Sequence, residues 1–305
     1  MDLVTLNLQD AGVVRDLFRE GAKANLGASC RKGSIDSVAA PGVLIATGDL
    51  HDNPLHMARV IEAAGMGAVA SSDRFDRHVT LHEIIHPPRL INGMDFSFRA
   101  LARVAALKAA YPQRVHTLLG NHELAQVLGT AIVKDGVRVV DAFNAGLDFA
   151  YADHATEVAK AIHDFVMSMP IALRCECLGF DKRAGGKHVL CSHSLPSPGQ
   201  MARFDSTILD RDLEPKDYEP LRGAAYNMVW GRSHDAELLE DLTERWGINM
   251  FIIGHEHAET GVRLVPPNAV ILNSDHERGV YLPVDFSNLP RLDDIPGQVV
   301  SLASC

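Results

Sequence analysis

Five short apolar runs in this sequence stop at residues able to bind a metal ion, and that recurrence limits the fold more than any other feature. "GVLIAT" (42–47) leads into Gly48, Asp49, Leu50 and His51, and "HVTLHEIIH" (78–86) carries Glu83. "RVHTLLGNHE" (114–123) ends on Asn121, His122 and Glu123, "KHVLCSHS" (187–194) closes around His193, and "INMFIIG" (248–254) passes into His255, Glu256 and His257. Near-continuous apolar runs of this length read as strands buried on both faces. Helical stretches separate the early ones: "PLHMARVIEAAG" (54–65), with Pro54 at its entry and Gly65 at its exit, and a segment over 95–110 with Phe98, Leu101, Ala105 and Lys108 on related positions. Strands alternating with helices predict an α/β fold with central sheets. In such sheets ligands bind beyond the carboxyl ends of the strands, so residues remote in sequence meet at one rim. Gathering carboxylate, amide and imidazole there without a ligand would bury unpaired polar groups at high cost.

The rest of the chain fits one domain built on those sheets. Its 305 residues are 47% hydrophobic with a mean hydropathy of zero, enough for a large core. The longest apolar runs are too short to cross a bilayer, and the first twelve residues carry Asp2, Asn7, Gln9 and Asp10 instead of a basic start and an apolar block. A cytoplasmic, non-secreted protein with no membrane partner is therefore expected. A formal charge of -10 argues against binding a nucleic-acid polymer and favours protein or small-molecule partners. The cysteines, Cys30, Cys175, Cys177, Cys191 and Cys305, form no C-x-x-C pair, and reduced, buried thiols are expected. Strand alternation places Cys175 and Cys177 on one face, and Cys191 on the same face as His193.

Residues 1–40 read as an N-terminal helical extension in which "VVRDLFREGAKANL" docks as an amphipathic helix. A main domain over 41–290 follows, with a helical insertion at about 125–169, and a tail over 291–305 in which "LPRLDDIPG" reads as an exposed turn. After Pro170 strands dominate: "IALRCECLGF" (171–180), "YNMVWGR" (226–232), "AVILNS" (269–274) and "GVYLPVDF" (279–286). "DAELLEDLTERWG" (235–247) is the one clear helix among them, with acids early and Arg245 late as its dipole prefers.

"GDLHDN", "GNHE", "CSHS" and "GHEH", in that order over residues 48–257, resemble the calcineurin-like metallophosphoesterase superfamily. "ALKAAYPQRVHTLLGNHE", "CSHSLPSP" and "MVWGRSHD" are similar to its phosphoprotein phosphatase (serine/threonine phosphatase-like) branch. The resemblance implies a four-layer αββα sandwich, two central β-sheets packed face to face and flanked by helices, with two divalent metal ions at one rim. Asp49, His51 and His257 would hold the first ion, Asn121, His193 and His255 the second, and Glu83 would be shared. Carboxylate, imidazole and amide donors suit Mn or Fe/Zn better than Ca. A metal-bridging hydroxide would attack phosphorus in line, His122 would protonate the leaving group, and Glu123 would orient His122 or cap the following helix.

One motif departs from the family pattern. Where the family has Gly-Asp-x-x-Asp-Arg-Gly, this chain has "LHEIIHPPR", with Glu83 at the bridging aspartate and His86 at the second aspartate. The partner of the catalytic histidine is thus missing, or supplied by His86 or another group. The phosphate-clamping arginine is displaced, which makes Arg89, Arg232 and His86 the candidate substrate contacts, with Arg74 a further cation. The expected activity is a binuclear metal-dependent phosphatase acting on phosphate monoesters, phosphoserine or phosphothreonine proteins among them. A nucleotide or dinucleoside-polyphosphate phosphodiesterase, and a non-catalytic metal-binding module on the same fold, are the alternatives.

Overall fold

The computed structural model describes residues 6–66, 76–134, 136–178 and 187–303. A seven-stranded sheet contains β1 (Arg31–Lys32), β2 (Ile35–Ala39), β8 (Ala172–Cys177), β9 (Lys187–Ser192), β10 (Met250–Ile253), β11 (Val262–Val265) and β12 (Ala269–Leu272), in the order β1-β2-β8-β9-β10-β12-β11. A five-stranded sheet contains β3 (Val43–Thr47), β4 (Arg77–Leu81), β5 (Val115–Thr117), β13 (Val280–Asp285) and β14 (Val300–Ser301), in the order β14-β13-β3-β4-β5. A small hairpin pairs β6 (Val133–Lys134) with β7 (Val137–Arg138).

Side-chain alternation sorts the central strands into two apolar layers. Leu44 and Ala46 of β3 face Leu173, Cys175, Val189, Cys191, Met250, Ile252, Val270 and Leu272 of the larger sheet across the inter-sheet core. The intervening Ile45, Leu190, Phe251, Ile253 and Ile271 point outward, under helices. Burial on both faces is why these strands read as unbroken apolar runs, each large side chain contributing about 1.5–3 kcal/mol. Cys175, Cys177 and Cys191 share the inner layer, as strand alternation required.

The helices are α1 (Ala11–Gly27), α2 (Pro54–Ala63), α3 (Phe98–Ala110), α4 (Asn121–Leu128), α5 (Val139–Tyr151), α6 (Ala155–Met167), α7 (Ala224–Trp230) and α8 (Ala236–Trp246). Crossovers through α2 and α3 keep β3, β4 and β5 parallel, so their carboxyl ends open at one rim. β9, β10 and β12 are likewise parallel. A parallel bridge between Asp49 and Asn273, just past β3 and β12, joins the two sheets at that rim.

Residues before 41 supply more than a docked helix. α1 packs on α3 and α6, with Phe18 and Phe165 ring centroids 5.7 Å apart. β2 then pairs in parallel with β8 along its whole length. "YNMVWGR", expected as a strand, is helical: α7 starts from Gly223 and buries Ala225, Met228 and Val229 at helical spacing. Tertiary contacts override the strand-like composition there. "LPRLDDIPG" is a 3₁₀ turn (Leu292–Gly297) that plugs Ile295 into the inter-sheet core, so it is anchored as well as exposed. Arg74 and Cys305 lie outside the described residues.

Candidate metal centre

Three loops at the common rim are fastened to one another through their backbones. Leu50 and His51 donate their N–H groups to the Glu83 carbonyl (3.1 and 2.8 Å), and Asp52 donates to that of Ile84 (2.7 Å). Glu123 Oε1 accepts the amides of Ile84 (2.7 Å) and Ile85 (3.3 Å). Asp49 accepts the His255 amide on both oxygens, at 3.0 and 3.1 Å. This network holds His51, Glu83 and His255 at φ of 40°, 49° and 66°, and His86, whose amide donates to Ser97 Oγ (3.2 Å), sits at 60°. Left-handed backbone is costly for such residues and persists where the surroundings over-determine it, as at functional sites. The close fit also explains the glycine preceding the ligands: a Cβ on Gly254 would collide with Asp49 Oδ1, and one on Gly120 would press on Glu123 and Glu83 Oε2.

Within this frame the donor atoms converge. His51 Nδ1 donates to the Ile85 carbonyl (2.8 Å), which leaves Nε2 as a lone pair 3.4 Å from Glu83 Oε1. His122 Nε2 lies 3.7 Å from the same oxygen. The other oxygen, Glu83 Oε2, is 3.1 Å from His193 Nε2. That nitrogen is also 2.7 Å from Asn121 Oδ1 and 3.1 Å from His255 Nδ1. Asp49 Oδ1 approaches His193 Nδ1 to 3.5 Å. Each of these side chains is buried.

Burial sets the electrostatics. It pushes Asp49 and Glu123 up to about 7, and raises Glu83 well above the usual carboxylate range with repulsion from Asp49 added. Burial lowers His51 to about 4 and His255 to about 3, and depresses His122 and His193 strongly. Every group here is therefore disfavoured in its charged form by its own surroundings. Divalent cations reverse that preference for carboxylates and hold imidazoles neutral. Glu83 Oε2 is buried without a hydrogen-bond partner, which an ion would satisfy. The donor set fits a divalent transition metal.

Other residues singled out in the sequence occupy different places. His257 is exposed, its ring 5.7 Å from that of His276, and belongs to none of the buried donor groups. Arg89 is exposed; Arg232 is exposed too, and its Nη1 donates to the His255 carbonyl at 3.3 Å. His86 meets the catalytic candidate directly, Nδ1 to His122 Nδ1 at 2.9 Å, while its Nε2 lies 3.1 Å from Gln126 Oε1. Glu123 Oε1 binds the backbone of Ile84 and Ile85, and the hydrogen-bond contact of the His122 ring is with His86, so Glu123 is not the group that meets His122 Nδ1.

Three residues escaped sequence reasoning. His82 is buried, with Nδ1 3.1 Å from His193 Nδ1. The apolar run at 78–86 reads as one unbroken strand and hides it, whereas β4 ends at Leu81. Gln126, one turn into α4, is found only once α4 is placed. Lys134 of β6 carries the positive charge felt by Asp49, His51, Glu83 and His122, and its hairpin is too short to show a pattern. The string His82-Glu83-Ile84-Ile85-His86 has the residue types of a zinc-protease H-E-x-x-H helix. Here it is irregular backbone with Glu83 and His86 left-handed, so its histidines do not share a helical face.

The profile of the calcineurin-like phosphoesterase family matches residues 42–259, a span holding all of these donors. No curated protein matches the sequence. Among solved structures, a protein serine/threonine phosphatase from Saccharomyces cerevisiae with similarity to human phosphatase PP5 superposes with a TM-score of 0.61 at 15% identity, covering 90% of this chain and 83% of that one. A cold-active protein-tyrosine phosphatase from a psychrophilic Shewanella species gives a TM-score of 0.55 at 16% identity, covering 91% and 85%.

Proposed function

The chain belongs to the calcineurin-like phosphoesterase family and is a phosphoric ester hydrolase; we propose that it is a binuclear metal-dependent phosphatase of phosphate monoesters. The observation carrying this reading is the Glu83 carboxylate, whose Oε1 faces His51 while Oε2 faces His193. Asp49, His51 and Glu83 Oε1 would hold one ion, and Glu83 Oε2, Asn121, His193 and His255 the other. Bound divalent ions supply Lewis acidity toward phosphoryl oxygens and lower the pKa of water.

The protein's own groups do the remaining work. His122 has Nδ1 engaged by His86 and Nε2 open toward Glu83, the arrangement for moving a proton at Nε2 to or from an ester oxygen. Lys134 and Arg232 are the cations proposed to meet the phosphate, in place of the displaced arginine. Both similar solved structures named above are protein phosphatases, and a phosphorylated protein side chain is the substrate proposed here.

The test is hydrolysis of an aryl phosphate monoester against the corresponding bis-aryl diester with added manganese, alongside metal analysis of the protein. The reading expects two equivalents of metal per chain and faster turnover of the monoester. Preference for the diester would replace it with a phosphodiesterase, and metal binding without hydrolysis of either would replace it with a binding module.

A further inference from the structure

His82 has no task in the mechanism above, yet its ring is buried against a proposed metal ligand. Its Nε2 lies 2.9 Å from the carbonyl oxygen of Thr47. A carbonyl only accepts, so Nε2 carries the ring proton. The neutral ring then presents a bare Nδ1, 3.1 Å from His193 Nδ1. Two nitrogens in that contact share one proton, and it resides on His193. An ion held among Asn121 Oδ1, His255 Nδ1 and Glu83 Oε2 would then meet His193 Nε2 as a lone pair, whereas with no ion there Asn121 Oδ1, 2.7 Å away and only an acceptor, draws a proton to that nitrogen instead.

We propose that His82 is a positioning residue that fixes the tautomer and orientation of His193, making Nε2 its metal-binding nitrogen. The inference deepens the metal-centre reading and rests on it. Ligating histidines commonly donate their other N–H to a carbonyl or carboxylate; here a second imidazole takes that place. Asp49 Oδ1 is the rival acceptor, but it stands 3.5 Å from His193 Nδ1, beyond an ordinary hydrogen bond. The anchor is rigid: Thr47 Oγ1 donates to the Thr80 carbonyl (2.7 Å) and the Thr47 amide donates to Thr80 Oγ1 (3.1 Å). A Cβ on Gly254 would come within 2.8 Å of His82 Cε1, so glycine leaves the space that the ring needs. The same Nδ1-to-Nδ1 pairing recurs four residues on, where His86 meets His122 and Gln126 takes the role of Thr47.

Two substitutions separate the two ring nitrogens. His82→Asn keeps an acceptor near the position of Nδ1, whereas His82→Gln keeps a donor near Nε2 and loses that acceptor. Metal-free protein is titrated with zinc alone, nitrogen-15 spectra report the His193 tautomer, and circular dichroism reports folding. Zinc-loaded wild type should show the Nδ1–H form of His193, with Nε2 on the metal. His82→Gln should weaken binding of one zinc by about 10–100-fold, and His82→Asn should restore it. Unchanged zinc affinity in folded His82→Gln, equal losses in both variants, or an Nε2–H form of His193 in zinc-loaded wild type would each overturn the proposal. Wild-type protein that takes up no zinc would sink the metal centre as well. If His82→Gln does not fold, the wild-type tautomer and the Asn variant decide.

Discussion

Glu83 and His122 carry most of the proposed chemistry, and each depends on a neighbour for its geometry. Glu83 reaches two donor groups because its backbone is left-handed and its carbonyl is held by the amides of Leu50 and His51. His122 is held by an imidazole at the position where the resembled family has a carboxylate, so a neutral group supports its proton transfer. His122→Ala is expected to reduce kcat by about 10²–10⁴ with KM for an aryl phosphate little changed, as for loss of a general acid–base group. Steady-state kinetics on metal-loaded protein checks this, and an unchanged kcat would remove His122 from the reaction.

The strand ends illustrate what a sequence can disclose. Asp49, Asn121, His193 and His255 were legible because each directly follows an apolar run whose two faces are both buried, and the rule for sheet rims then brings them together. His82 was not legible, because one residue of uncertainty in where β4 stops inverts the face to which a side chain belongs. α7 departs from expectation for a related reason: Tyr, Val and Trp favour strands in isolation, and only its packing reveals a helix. The β6–β7 hairpin, two residues per strand, has no periodicity to detect, yet it brings Lys134 within electrostatic reach of the centre. Lys134→Ala should raise KM for a phosphate monoester with kcat nearly unchanged, by removing a charge that serves substrate binding. An unaltered KM would assign the phosphate to Arg232 or another cation.

Across the whole molecule, the two sheets are clasped away from the metal rim by a buried charge network. Asp36 on β2 pairs with Arg31 Nε (2.8 Å), with His116 Nδ1 on β5 (2.7 Å) and with Lys108 Nζ on α3 (3.8 Å). Burial alone would raise the Asp36 pKa; the hydrogen bond from His116 and the charges of Lys108 and Arg31 outweigh it and hold the carboxyl below its usual range. With the folded pKa depressed, this stabilisation is present above the unfolded value of about 4 and is lost as pH falls through the folded one. Asp36→Asn is expected to cost about 3–5 kcal/mol at neutral pH, because Lys108 and Arg31 are left buried without their counter-charge. Urea unfolding should also show a weaker acid sensitivity in the variant between pH 5 and the acid limit, and identical curves would deny the network that role.

Glu123 offers a last consequence. Its oxygen grips the amides of Ile84 and Ile85 from the first turn of α4, much as a clip holds a bent wire. What matters most at such a point is the shape of an acceptor, because burial already pushes the Glu123 carboxyl up to about 7 and a neutral oxygen can still accept both amides. Glu123→Gln should therefore keep most turnover while Glu123→Ala loses it, with the difference visible as slower amide hydrogen exchange at residues 84 and 85 in the glutamine protein. If that holds, ions would find their seats already moulded when they arrive, and their capture would proceed without a prior rearrangement of the chain.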